Sequence, residues 1–252
     1  MSDLVKIQPA GSTALAVAGE GLEDFYLKPA QMKLVQNTTT DEGAVKGKLF
    51  DTLSKTNYES MQVVPLAIRM GRVLFPPGGE LGAEPLCRSD DGVVPSPTAQ
   101  APQSPKCATC DFGPKNWANY RSTGKKPDCQ EKARMLFIDR ETGLPYWITI
   151  SGKSISQLKA LKAAIFREVL KLKMQGEVRS IYDFTFKMQP ISVQGRKGNY
   201  YELTFVELRK IQNPGEFGAM YEMFVKRAQE ATPETADEAV DQEFDSATNV
   251  EV

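Results

Sequence analysis

Apolar positions alternate with period two in five stretches of the chain and recur at helical spacing in two others. Residues 61–75, MQVVPLAIRMGRVLF, are the first of the five strands, with Val64, Leu66, Ile68 and Met70 expected on one face. Pro65 and Gly71 within it predict an edge or a bulge, with Arg69 and Arg72 close by. Residues 133–139, ARMLFID, and 145–151, PYWITIS, are two further strands joined by the turn Arg140-Glu141-Thr142-Gly143. In the second of these, Tyr146, Ile148 and Ile150 share a face, and Trp147, Thr149 and Ser151 share the other. Ser154 then opens a helix with Gln157 as its capping-box partner. Leu158, Leu161, Ile165, Val169 and Leu172 form its apolar stripe, and Gly176 ends it.

The last two strands are 181–188, with Tyr182, Phe184, Phe186 and Met188 on one face, and 200–208, with Tyr201, Leu203 and Phe205 on one face. The connector Gln194-Gly195-Arg196-Lys197-Gly198 is a basic hairpin loop. Asn213 caps and Pro214 starts a final helix, whose stripe is Phe217, Met220, Tyr221, Phe224 and Ala228. Near the start, 32–35 and 46–50 are short strand candidates, preceded by a Gly-, Ala- and Ser-rich flexible arm.

Between the first and second strands the pattern breaks. Residues 76–132 are rich in Pro, Gly, Ser and Lys and contain all four cysteines. Cys87, Cys107, Cys110 and Cys129, spaced C-x19-C-x2-C-x18-C, can supply four thiolates to one tetrahedral zinc. Four protein ligands leave no open position for catalysis, so the metal is expected to be structural. A loop this long is unusual in a compact domain, but coordinate bonds can replace its missing core. An iron–sulfur cluster, two disulfides or four free buried thiols are the alternatives. Trp117 and Tyr120 stand among Lys115, Arg121, Lys125 and Lys126, with Trp117 expected to plug the space beside the metal.

With the insertion set aside, the order is strand, strand, strand, helix, strand, strand. This is the order of an OB-fold, a five-stranded barrel with a helix between strands three and four. The expected architecture is therefore mainly β, an α+β fold. It comprises an arm (1–26), an OB-fold domain (27–228) with a zinc-stapled insertion (76–132) between strands one and two plus a C-terminal helix, and a tail (229–252). The insertion and the basic hairpin fall on the loops that flank the oligonucleotide-binding face of such barrels.

Charge sharpens this picture. The tail holds eight acids and no base, so a net charge of −1 hides a body of about +7. Within 151–211 there are 12 bases and 5 acids. A basic body binds polyanions, and an acidic, unstructured tail competes for the same groove or presents itself to partners. Enzymatic readings fare badly. With no histidine, Ser-His-Asp and Cys-His arrangements are excluded. Gly152-Lys153-Ser154 lacks the upstream glycine of a phosphate loop, where Trp147 stands. Asp90-Asp91-Gly92 lacks the ligand spacing of a calcium loop and is expected to be a turn. No apolar run approaches a membrane span, and the first residues lack a signal-peptide pattern. A cytoplasmic protein is expected, in the host cytoplasm if it is viral.

Single-strand binders combine a positive track with aromatic faces for base stacking. Trp147 and Tyr200 are the candidate stackers. Arg69, Arg72, Lys153, Lys187, Arg196 and Lys197 are the candidate phosphate partners.

Leu86-Cys87-Arg88-Ser89-Asp90-Asp91-Gly92, Cys107-Ala108-Thr109-Cys110, Trp117 and Pro127-Asp128-Cys129, followed by the strand–strand–helix–strand–strand run, carry a resemblance. Over 27–211 the chain resembles zinc-containing single-stranded DNA-binding proteins of bacteriophages. The resemblance implies a non-catalytic, sequence-tolerant protein of DNA replication, recombination or repair, whose acidic tail recruits replication or recombination proteins. One departure is the tail tip. Bacterial single-strand binders often close it with Pro-Phe, whereas this chain ends Asn249-Val250-Glu251-Val252. RNA is also compatible, because stacking does not sense the 2′-hydroxyl. The alternative is a zinc-ribbon adaptor that binds protein in a transcription or replication complex.

Overall fold

The computed structural model describes residues 29–77, 84–114, 127–195 and 198–226. The expected N-terminal arm and acidic tail lie outside the described residues, as do Trp117, Arg196 and Lys197. The fold is mainly β, a single curled open sheet with few helices. Its strands are β1 (Ala30–Leu34), β2 (Leu49–Asp51), β3 (Asn57–Tyr58), β4 (Met61–Leu74), β5 (Cys87–Ser89), β6 (Gln130–Asp139), β7 (Pro145–Ser151), β8 (Phe184–Gly195) and β9 (Gly198–Lys210). The long helix α1 (Ser154–Met174) joins β7 to β8, and a short helix α2 (Gly218–Tyr221) follows β9. The strand order is β3-β2-β1-β7-β6-β4-β8-β9, with β5 paired to β4. The five strands expected from periodicity thus form the run β7-β6-β4-β8-β9, and four shorter strands extend the sheet. No described helix is long and apolar enough to cross a membrane.

Both faces of the sheet are covered, by different parts of the chain. One face carries Met32, Met135, Phe137, Ile148, Ile150, Phe186 and Leu203, and α1 buries Leu158, Leu161 and Ile165 against it. On the other face Val64, Leu66 and Ile138 are buried by Ile211, Phe224 and Val225. Each such side chain contributes roughly 1.5–3 kcal/mol when fully buried.

β4 reaches both cores because its alternation is interrupted. The register with β6 shifts between Pro65 and Ala67, where one residue of β4 has no partner. Pro65 has no N–H to donate, and the bulge lies at this point, although β4 is a central strand rather than an edge. The extra residue changes the face. Val64 and Leu66 pack in the second core, while Ile68 and Met70 pack against the first. The single face expected for these four residues is therefore split in two.

Two expected helix starts differ. Ser154 does not cap α1. Lys153 holds that position, and the Ser154 hydroxyl accepts the Leu203 N–H at 2.9 Å. The last helix begins at Gly218 rather than Pro214. Gly215 N–H is held by the buried Asp183 carboxylate at 2.6 Å, and the residue lies at φ +75°, outside helical space. The end of α1 is as expected. Gly176, at φ +80°, donates to Lys173 O at 3.1 Å and Glu177 N donates to Leu172 O at 2.9 Å, the paired bonds of a Schellman cap.

The outer edge of β9 is closed by side chains instead of a strand. The Gln36 amide donates to Tyr201 O at 2.7 Å and accepts from Tyr201 N at 3.0 Å, as a backbone pair would. Asn37 donates to Asn199 O, and Ser154 takes the next free N–H, that of Leu203. An edge strand left open invites pairing with another chain. Replacing Gln36 with Leu removes both bonds and is expected to cost about 1–3 kcal/mol in urea unfolding. Hydrogen exchange at the Tyr201 amide should rise in the same variant; an unchanged rate would show that the edge is protected by other means.

Candidate metal centre and nucleic-acid face

The four cysteines, distant in sequence, converge at the end of β4. Cys87 opens β5 and pairs with Leu74. Cys107 begins a 3-10 turn, Cys107–Thr109, and is tied to the preceding loop through its N–H to Val93 O at 2.9 Å. Cys110 N–H folds back to Cys107 O at 3.3 Å, and Gly113 N–H to Cys110 O at 3.0 Å. A Cβ at Gly113 would lie 2.7 Å from Cys107 O, so only glycine fits this knuckle. Cys129 is drawn in through its N–H to Phe112 O at 2.9 Å. The loop 89–94 is shaped by Asp91, whose carboxylate accepts the Val93 and Val94 N–H groups and the Ser89 hydroxyl. Those backbone bonds hold the Asp91 carboxyl below the ordinary carboxylate value. Asp90-Asp91-Gly92 is thus a turn, as expected.

All four cysteines carry free thiols and line one cavity with Arg72, Leu74 and Gly113. Its volume of about 20 Å³ suits a single atom-sized occupant. Among the described residues no three His, Cys, Asp or Glu side chains stand in ready ligand geometry. Donor number, donor softness and the knuckle suit a tetrahedral thiophilic ion. So does Arg72, a cation on the cavity wall whose buried Nη1 has no hydrogen-bond partner. Burial pushes the Cys129 thiol up to about 11, the three neighbouring cysteines push in the same direction, and Arg72 opposes them.

The predicted nucleic-acid residues do not form one cluster. Trp147 lies half-buried on the face of β7 opposite Tyr146 and Ile148, beside Gln31 of β1 and Leu136 of β6. The Arg134 guanidinium lies 5.4 Å from the Trp147 ring centre, and Arg134 pairs across the ladder with the exposed Arg69. Trp147, Arg134, Arg69 and Thr149 therefore make one patch, within which a ring stacks on a guanidinium.

Arg72 lies elsewhere. Three residues beyond Arg69 it faces the other side of β4, where its Nη2 donates to Glu131 at 2.9 Å beside the cysteine cavity. Lys187 pairs with Gln62 and lines an open groove with Tyr58, Asp139 and Arg140. The apolar cluster of Val64, Leu66 and Ile138 uses the strand positions between Lys187 and the Trp147 patch. Lys153 and Tyr200 do meet. Lys153 Nζ donates to the Tyr200 hydroxyl at 2.6 Å and lies 5.2 Å from its ring centre. The Tyr200 hydroxyl donates to Glu202 at 2.7 Å. These partners raise the Lys153 ammonium above its ordinary value. Arg196 and Lys197 fall outside the described residues, while their flanks Gly195 and Gly198 pair as the ends of the expected hairpin.

Arg134 is not among the residues expected from the sequence to meet nucleic acid. The signal was present, since Arg134 alternates with the buried Ala133 and Met135 and so faces the same side as Trp147. The chain matches no protein-family model, no curated protein and no solved structure at a significant level.

The raised Cys129 thiol has a measurable consequence. In metal-free protein, alkylation at Cys129 should be slow at pH 8 and accelerate as pH approaches about 11. Because its folded value exceeds the ordinary 9.0, this thiol stabilises the metal-free fold below about pH 9, and that contribution is lost as pH rises toward 11. Site-resolved mass spectrometry across that range checks it; rapid labelling at pH 8 would contradict the burial argument.

Proposed function

We propose that this protein is a non-catalytic, sequence-tolerant single-stranded DNA-binding protein of replication, recombination or repair. The observation that carries the reading is the Trp147 patch. An aromatic ring and two arginines, Arg134 and Arg69, stand on neighbouring strands of one sheet face. That is the chemistry a single strand needs, a face for bases and cations for phosphates. Lys153 and Tyr200 add a second ring–cation pair two residues beyond the end of β7.

The strand order supports an OB-fold core. β4 pairs with β6 and β8, β6 with β7, β8 with β9, and α1 lies between β7 and β8. These are the neighbour relations of OB strands one to five, with β1 lying parallel on β7 in the place where strand five would close the barrel. In this reading the segment 76–132 is an insertion held by a structural zinc on Cys87, Cys107, Cys110 and Cys129. Zinc would cross-link the knuckle, β5 and the start of β6. The acidic tail would compete with DNA for the basic body and recruit replication or recombination proteins.

A fluorescence titration with oligo-dT tests the DNA reading. Wild type is expected to bind with quenching that weakens steeply as salt rises. Trp147→Ala is expected to lose roughly 1–3 kcal/mol, about 5- to 150-fold in affinity. Absence of binding at low salt would overturn the proposal. Deleting residues 230–252 should tighten binding at low salt; unchanged or weaker binding would refute tail competition.

One observation favours the alternative, a zinc-ribbon adaptor for a protein partner. Phe166, Leu170 and Met174 stand exposed at four-residue spacing on α1. An apolar row of this kind suits a protein surface better than a phosphate backbone.

A further inference from the structure

Arg72 was expected on the nucleic-acid face, yet the fold buries its guanidinium, with 10% of the side chain exposed. One nitrogen, Nη2, is paired to Glu131 at 2.9 Å. Glu131 in turn accepts from Lys159 of α1 through its other oxygen. Nη1 is buried with no hydrogen-bond partner. A buried N–H left unpaired gives up its hydration without a replacement bond, so its persistence needs a reason. Arg72 lines the cavity that all four cysteines line. Four thiolates around a divalent ion leave two negative charges in excess, inside a pocket where burial disfavours charge.

We propose that Arg72 is a positioning residue of the metal centre: Glu131 holds one guanidinium nitrogen, and the other is reserved for the cysteine sulfurs once they bind a metal ion. The inference rests on reading the four cysteines as a metal centre. It assigns Arg72 an outer-sphere role, in which an N–H···S bond and a fixed positive charge offset part of the thiolate charge. The Lys159–Glu131–Arg72 chain also ties the metal site to α1, and so to the main core.

The test is a cobalt(II) titration of chelator-stripped, reduced full-length protein, read by thiolate-to-cobalt charge-transfer absorption. Wild type is expected to take up cobalt with a four-thiolate spectrum. Arg72→Met is expected to bind about 10- to 100-fold more weakly. Its charge-transfer band should also move to lower energy, because a hydrogen bond to sulfur stabilises the lone pair from which the transition starts. An arginine that acted only through packing would leave the band in place. Arg72→Lys keeps the charge and stem but loses the fork, and should fall between the two. If Arg72→Met lacks folded circular dichroism, Arg72→Lys decides on the same two readouts. Wild-type affinity with an unshifted band overturns the role of Arg72. Wild-type protein that takes up no cobalt overturns the metal reading itself, a result distinct from the first.

Discussion

Pro65 cannot donate a backbone hydrogen bond, and it sits in the strand that joins every part of this sheet. β4 pairs with β6 along one edge and with both β8 and β5 along the other. A strand so surrounded would ordinarily show one face to each layer along its whole length. The bulge after Pro65 relieves that constraint. It sends Val64 and Leu66 toward the C-terminal segment and returns Ile68 and Met70 to the layer under α1. Without the shift, Arg69 and Arg72 would exchange faces relative to the two cores. The placement of both candidate sites therefore depends on it.

Beyond the bulge, period-two alternation separates two kinds of chemistry on one strand. Arg69 faces the side of Arg134 and Trp147, and Arg72 faces Glu131 and the cysteine cavity. The two arginines have the same charge and opposite circumstances. Arg69 is exposed, where its charge is available to a polyanion at little desolvation cost. Arg72 turns a nearly buried guanidinium to a carboxylate and the cysteine cavity, where its charge faces inward. The cysteine centre and the aromatic–basic patch thus occupy opposite sides of β4, rather than jointly framing one groove as the sequence suggested.

The edges are managed with the same economy. β9 ends the sheet, yet outward backbone groups of its residues 199–203 are taken by Gln36, Asn37 and Ser154. Side chains from the first turn of α1 and from the segment after β1 thereby hold the curled sheet together where no strand pairing does. Ser154 illustrates how a local signal can be overridden by a distant partner. A serine before an apolar helical stripe reads as a cap. Here a free N–H on β9 competes for the same hydroxyl and takes it.

Much of this was legible in the sequence, because alternation and helical spacing are local properties of the chain. The strands β6, β7 and β9, the length of α1 to its glycine cap, the turn at Gly143 and the clustering of thiols in 87–129 all follow from neighbours a few residues apart. β8 follows only from Phe184 onward: Ile181–Asp183 is a 3-10 turn, which carries Tyr182 to the second core beside Tyr221 and away from the face of Phe184, Phe186 and Met188. Tyr146, Ile148 and Ile150 are buried, and Trp147 faces away from them, as the period required. Alternation states only that a strand has two faces. Which face is covered, and by what, depends on segments far away: α1 on one side of β4, residues 211–225 on the other, and β1 inserted beside β7. The tertiary structure alone therefore decided that Arg72 belongs with the cysteines and that Ser154 serves β9, because each outcome is a competition between partners more than ten residues apart in the chain.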